Sequence, residues 1–221
     1  CIRVAAGRYT PTSGTDRNAS FTIDKSLKLY GGFDGSETCW EERGSNYSGT
    51  RLQGDIGVIG DNTDNSYVVV QIFTPRPPVG SAPSTVVIDG FTIRDAYNDS
   101  PTSNGGGIFM NTVTTLKLRN CIVRNNYAFG NGGGMYINVG SFDIALSRFI
   151  ANTAGGNGGG LWLAQPKSDC LAHNVEFKNN TAAGNGGAFF AKNFAAPLYD
   201  RCLRFANGLF RGNTADYYDP R

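Results

Sequence analysis

The sequence predicts an all-β fold: a right-handed parallel β-helix, one continuous solenoid with coils of about 26–33 residues. Two interleaved motifs and the composition point there. Asn104-Gly-Gly-Gly-Ile108, Asn131-Gly-Gly-Gly-Met135, Asn157-Gly-Gly-Gly-Leu161 and Asn185-Gly-Gly-Ala-Phe189 place their asparagines 27, 26 and 28 residues apart. Between them, an apolar residue is followed three places later by asparagine: Val123 and Asn126, Phe149 and Asn152, Phe177 and Asn180, Phe210 and Asn213. Charged residues make up only 17% of the chain and glycine contributes 30 residues, a balance foreign to helical bundles and coiled coils.

Each coil is built from short alternating strands. Counting back from each motif's apolar residue, the inward positions read Val86/Ile88/Phe91/Ile93, Leu116/Leu118/Cys121/Val123, Phe142/Ile144/Ser147/Phe149, Cys170/Ala172/Val175/Phe177 and Leu203/Phe205/Gly208/Phe210. Period two marks the strands, and its parity shifts once, at Asn120, Asn174 or Asn207, where a bend between strands is expected. Asparagine suits that bend because it tolerates left-handed backbone angles. Such a unit cannot bury its inward face alone and must stack on its neighbours. Asn126, Asn152, Asn180 and Asn213 then form an internal ladder of amides bonded along the axis. The glycine triplets fit a corner with positive φ or close wall contact; with no helix or Lys-Ser/Thr after them, they do not read as a phosphate loop.

Residues 1–84 read as amino-terminal capping coils with long loops, and residues 85–221 as regular repeats of the same solenoid. Phe21/Ile23, Leu27/Leu29 and Val68/Val70 are strands between loops at 10–20, 34–50 and 57–66, insertions expected to project from one face. The proline-rich run Thr74–Pro83 is an extended loop at the boundary between cap and regular coils. The chain opens at Cys1 directly inside a strand-like segment and stops within a repeat, as a matured product or a piece of a longer chain would.

The two motifs resemble the repeats of the chlamydial polymorphic outer-membrane proteins, whose hallmark pair is Gly-Gly-Ala-Ile/Leu and Phe-x-x-Asn, over about residues 85–214. The opening stretches Val4–Tyr9, Leu29–Phe33 and Leu52–Ile56 are similar to the first coils of parallel β-helix repeat proteins. The resemblance implies a pectate-lyase-like solenoid, display at the cell surface or outside the cell, and roles in adhesion or surface architecture. The irregular last spacing of 33 residues and Ala188 in place of a third glycine depart from the pattern.

Catalysis is not expected. Of the sets that polygalacturonases carry on successive coils, only Asn62-Thr63-Asp64 is present, without paired aspartates or Gly-His-Gly, and it reads as a loop. His173, the single histidine, falls between inward Ala172 and the bend at Asn174 and should face solvent. Asp55, Asp61 and Asp64 crowd a loop with oxygen ligands of the kind Ca²⁺ prefers, although Asx turns use the same residues without metal. No other cofactor is expected. The formal charge of +2 is spread without a Lys/Arg block, favouring neither nucleic acid nor an anionic membrane as partner, and no apolar run is long enough for membrane insertion as a helix.

Modification sites and an outer column complete the reading. Asn18, Asn46, Asn98 and Asn179 begin N-glycosylation tripeptides, with Asn46 and Asn98 in expected loops. Cys170 with Cys202 and Cys1 with Cys39 are candidate disulfides, and Cys121 is left as a buried thiol. Phe109, Tyr136, Trp162 and Phe190 should point outward as a stacked aromatic stripe, which is either covered by a neighbouring segment or a strip for a glycan or another protein. The expected function is an extracellular structural or adhesive scaffold, self-associating or bound to other surface proteins. A carbohydrate-binding module and a polysaccharide lyase or hydrolase fragment are the alternatives.

Overall fold

A computed structural model describes the chain except residues 38, 40, 45–46, 77, 79, 102, 167–168, 193–202 and 217–221. The described residues form a parallel β-solenoid of about six turns. Each regular coil crosses four faces. Face one holds Ser84–Asp89, the second half of Ile108–Arg119, the second half of Met135–Ala145, Cys170–His173 and Leu203–Ala206. Face two stacks Thr92–Arg94, Ile122–Arg124, Arg148–Ile150, Glu176–Lys178 and Leu209–Arg211. Face three stacks five two-residue strands from Tyr97–Asn98 to Thr214–Ala215. The glycine corner follows, and face four carries Ile108–Met110, Met135–Ile137, Leu161–Ala164 and Phe189–Lys192.

The inward register agrees with the alternation of the sequence. Val86, Leu116 and Phe142 lie in one column, Ile93, Val123, Phe149, Phe177 and Phe210 in another. All are buried except Phe210, which is 48% exposed on the last described coil. Phe149, Phe177 and Phe210 stack with centroids 4.9 and 5.1 Å apart. The bend between faces one and two has positive φ at Gly90, Asn120, Leu146, Asn174 and Asn207. A second such bend, between faces two and three, falls at Asp95, Asn125, Ala151, Asn179 and Gly212. Leu146 and Ala151 adopt left-handed angles unfavourable for their side chains, because stacking on the coils either side dictates the backbone there.

The asparagine ladder is continuous. Asn126 donates its amide to Oδ1 of Asn152 at 3.0 Å, Asn152 to Asn180 at 2.9 Å, and Asn180 to Asn213 at 2.9 Å. Each Oδ1 also accepts a backbone N–H from the preceding coil, starting with Ala96 to Asn126 at 3.1 Å. The motif asparagines form a second ladder of opposite polarity: Asn131 donates back to Asn104 at 2.9 Å, Asn157 to Asn131 at 3.0 Å, and Asn185 to Asn157 at 3.2 Å. Between the ladders, the glycine corner brings walls into contact. A Cβ on Gly159 would stand 2.3 Å from the Thr181 carbonyl oxygen and 2.5 Å from that of Gly187.

The first coils join the same faces without a break at residue 84. Ile2–Ala5 and Leu27–Phe33 lead face one into Ser84–Asp89, Gly7–Tyr9 and Thr50–Gln53 lead face two into Thr92–Arg94, and Phe21–Ile23 and Val70–Ile72 lead face four into Ile108–Met110. The insertions do not project from one face. Residues 34–49 leave the bend between faces one and two, 10–20 and 57–66 replace the glycine corner, and 73–83 lie between faces four and one. Arg43 ties the 34–49 insertion down by donating to the Gly31 carbonyl at 2.7 Å and to the Asp89 carboxylate at 2.9 Å.

Candidate interaction site on the outer faces

The aromatic column belongs to face four. Ile108, Met110, Met135, Ile137, Leu161 and Leu163 are buried inward, so the residues between them turn out. Phe109, Tyr136, Trp162 and Phe190 occupy directly paired positions. Phe109 and Tyr136 stack at 5.3 Å and 10°, Tyr136 and Trp162 at 4.4 Å and 5°. Phe73 extends the column by a tilted contact with Phe109 at 5.7 Å.

This column is packed rather than open. Tyr136 and Trp162 are only 8% and 7% exposed and form a small outer core with Ala164, flanked by half-buried Phe109 and Phe190. The glycine corner accounts for part of that cover. A Cβ on Gly132 would lie 2.8 Å from the Tyr136 Cβ, and one on Gly158 would lie 2.9 Å from that of Trp162. The turn therefore leans on the foot of each ring, and burial pushes the Tyr136 hydroxyl pKa above its ordinary value.

The aspartate loop does not assemble a cation site: no group of three metal-ligating side chains occurs among the described residues. Backbone donors divide the carboxylates instead. Asp55 accepts from Gly60 N–H at 3.0 Å and pairs with Arg8 at 3.3 Å, Asp61 caps the 3-10 turn Asn62–Asp64 through Thr63 N–H, and Asp64 accepts from Val58 N–H at 2.6 Å. His173 lies on face one in register with Ala145 and Ala206, beside the bend as expected.

The cysteine and sequon expectations need correction. Cys1 and Cys39 are exposed thiols and form no disulfide. They leave from opposite ends of a paired strand, Cys1 next to Ile2 (opposite Leu29) and Cys39 six residues beyond Phe33 (opposite Ala5). Cys121 is buried, and desolvation pushes its thiol up to about 12. Cys170 is likewise buried and raised to about 11, and its expected partner Cys202 lies outside the described residues. Asn98 is not an open sequon but a buried strand residue, 2% exposed, whose amide donates to the Gly105 carbonyl at 3.0 Å. Asn18 and Asn179 are exposed, and Asn46 lies outside the described residues.

With both motifs placed on one coil, comparison with known families becomes specific. Residues 174–192 match the Chlamydia polymorphic membrane protein (Chlamydia_PMP) repeat. The matched segment runs from the bend at Asn174 through Phe177 and Asn180 to the corner Gly186-Gly-Ala-Phe189 and ends with the face-four strand. The chain is a β-helix repeat protein resembling that family, whose members are outer-membrane or surface-exposed proteins. No curated protein and no solved structure matches the chain.

Proposed function

We propose that the protein is a cell-surface β-helix scaffold, structural or adhesive, that works through its outer columns and not through catalysis. The carrying observation is the pair of opposed amide ladders, Asn126 to Asn213 and Asn104 to Asn185, which tie successive coils at two corners. Cooperative chains of amides, buried along Asn126, Asn152 and Asn180 and half-buried to exposed along the second ladder, hold the coils in one register, so outward side chains recur as fixed columns suited to binding extended partners. The match to a surface-protein repeat supports the same reading. The capped turn at Asn62–Asp64 and the placement of His173 between alanines favour it over a polysaccharide-degrading enzyme.

Electron microscopy of the purified chain and attachment of chain-coated beads to cells test the structural and the adhesive arm of this reading. Rods that attach, singly or as filaments, are expected. Dispersed single rods on beads that attach no better than albumin-coated controls would overturn the proposal.

A further inference from the structure

Basic residues that are scattered along the sequence converge on face two. Arg8 is paired directly with Arg51, Arg94 with Arg124, and Lys178 with Arg211. Like charges at directly paired positions destabilise a sheet. In each pair one cation is neutralised: Arg8 by Asp55 at 3.3 Å, Arg94 by Asp95, and Arg211 by Glu176 at 2.5 Å. Their neighbours Arg51, Arg124 and Lys178 make no ion pair among the described residues, and Nε of Arg124 is buried without an acceptor. These three stand on the second, fourth and sixth strands of the seven-stranded face. At a strand spacing of roughly 4.8 Å, uncompensated positive charges step about 10 Å along the axis, with Arg124 and Lys178 in one column and Arg51 two residues along the strand from it.

We propose that face two binds an extended acidic polysaccharide laid along the solenoid axis, with Arg51, Arg124 and Lys178 as its principal charge contacts. Charge complementarity selects a polyanion, and the regular interval suits a polymer with acidic groups repeated along its length. Beside the stripe, at the second bend, a notch of about 180 Å³ is lined by Asn62, Asn125, Tyr127 and Thr153, polar groups fitted to sugar hydroxyls. Nucleic acid fits less well: the phenylalanines beside the cations on these strands, Phe149 and Phe177, are buried in the core, and the stacked Tyr97 and Tyr127 lie on face three, so no outward aromatic alternates with the cations to stack bases. The polymer supplies the counter-charge that Arg51, Arg124 and Lys178 lack, and binding to the folded chain raises stability by mass action.

The inference rests on the scaffold reading only for where the polysaccharide is met. The test compares retention of the whole chain on immobilised heparin, polygalacturonate, neutral dextran and a single-stranded DNA oligonucleotide, across NaCl concentrations. Expected are binding to at least one acidic polysaccharide but not to dextran, and a rise in Tm when that polymer is added. The triple variant R51Q/R124Q/K178Q should lower the slope of log K against log [NaCl] by roughly two to three, while K25Q/K28Q/K117Q, off this face, leaves it unchanged. If the triple variant does not fold, K178Q alone should lower the slope by about one. Absence of binding to either acidic polymer at low salt, equal losses in both triple variants, or equally tight DNA binding would overturn the inference. Bead attachment that persists without polyanion binding leaves the scaffold reading standing and removes this one; polyanion binding without attachment or filaments does the reverse.

Discussion

Trp162 lies flat on Tyr136, with ring centroids 4.4 Å apart and planes within 5°, on the outer side of a strand whose inner side already belongs to the core. The sheet of face four is thus apolar on both sides at these coils, which makes the pair a second, shallow core. Trp162→Ala is expected to destabilise the fold by about 3 kcal/mol, as truncation of a buried aromatic does, measured by urea unfolding. In a Trp40→Phe background the remaining tryptophan should emit at short wavelength and red-shift on unfolding. Emission typical of exposed tryptophan in the native state would show that the column is open.

The middle of the asparagine ladder should be its most sensitive part. Asn152 accepts from the amide and backbone N–H of Asn126 and donates to the Val123 carbonyl at 2.9 Å and to Asn180. Asn152→Ala orphans several buried groups, each costing about 1–3 kcal/mol, so a loss of at least about 3 kcal/mol is expected. Asn213→Ala, at the half-buried end of the ladder, should lose clearly less. Equal losses at the two positions would mean that the bonds do not act as a continuous chain.

Thiol chemistry separates the cysteines. Burial holds Cys121 at about 12 and Cys170 at about 11, so neither forms thiolate near pH 8, whereas Cys1 and Cys39 are exposed. Iodoacetamide at pH 8 should label Cys1 and Cys39 in the native protein and reach Cys121 and Cys170 only after denaturation, as read by peptide mass spectrometry.

Glu176 lies between Arg148 at 2.7 Å and Arg211 at 2.5 Å, and these hydrogen bonds, that to Arg148 foremost, hold its carboxyl below the ordinary value of 4.5. A carboxyl with its pKa depressed in the folded state contributes stability that is fully present above the unfolded value. That contribution fades as pH falls through the folded one. Tm should therefore decline below about pH 4.5 partly through this group. Glu176→Gln should lower Tm at pH 7 and flatten the acid decline; an unchanged pH profile would remove Glu176 as a contributor.

Legibility followed repetition. The inward columns and the Asn126–Asn213 ladder could be read because one side-chain class recurs at one offset in every coil. The second bend was not read, since Asp95, Asn125, Ala151, Asn179 and Gly212 share a backbone angle but no side chain. The second ladder was visible as Asn104, Asn131, Asn157 and Asn185, yet their bonding needed the position of each amide beside the next coil. Asn98 looked like a loop sequon because a two-residue strand leaves almost no alternation to recognise.

By itself the sequence determined that this chain coils, which residues face inward, and where glycine must stand, because those features are imposed within each repeat by alternation and by the room a Cβ needs. The tertiary structure decided what meets on the outside. Arg94 and Arg124 are 30 residues apart and sit side by side, as do Lys178 and Arg211, which are 33 apart. Coils of unequal length absorb their differences in turns and insertions while backbone hydrogen bonding keeps the strands in register. Dispersed charge becomes a stripe for that reason, and expected surface aromatics become a packed stack.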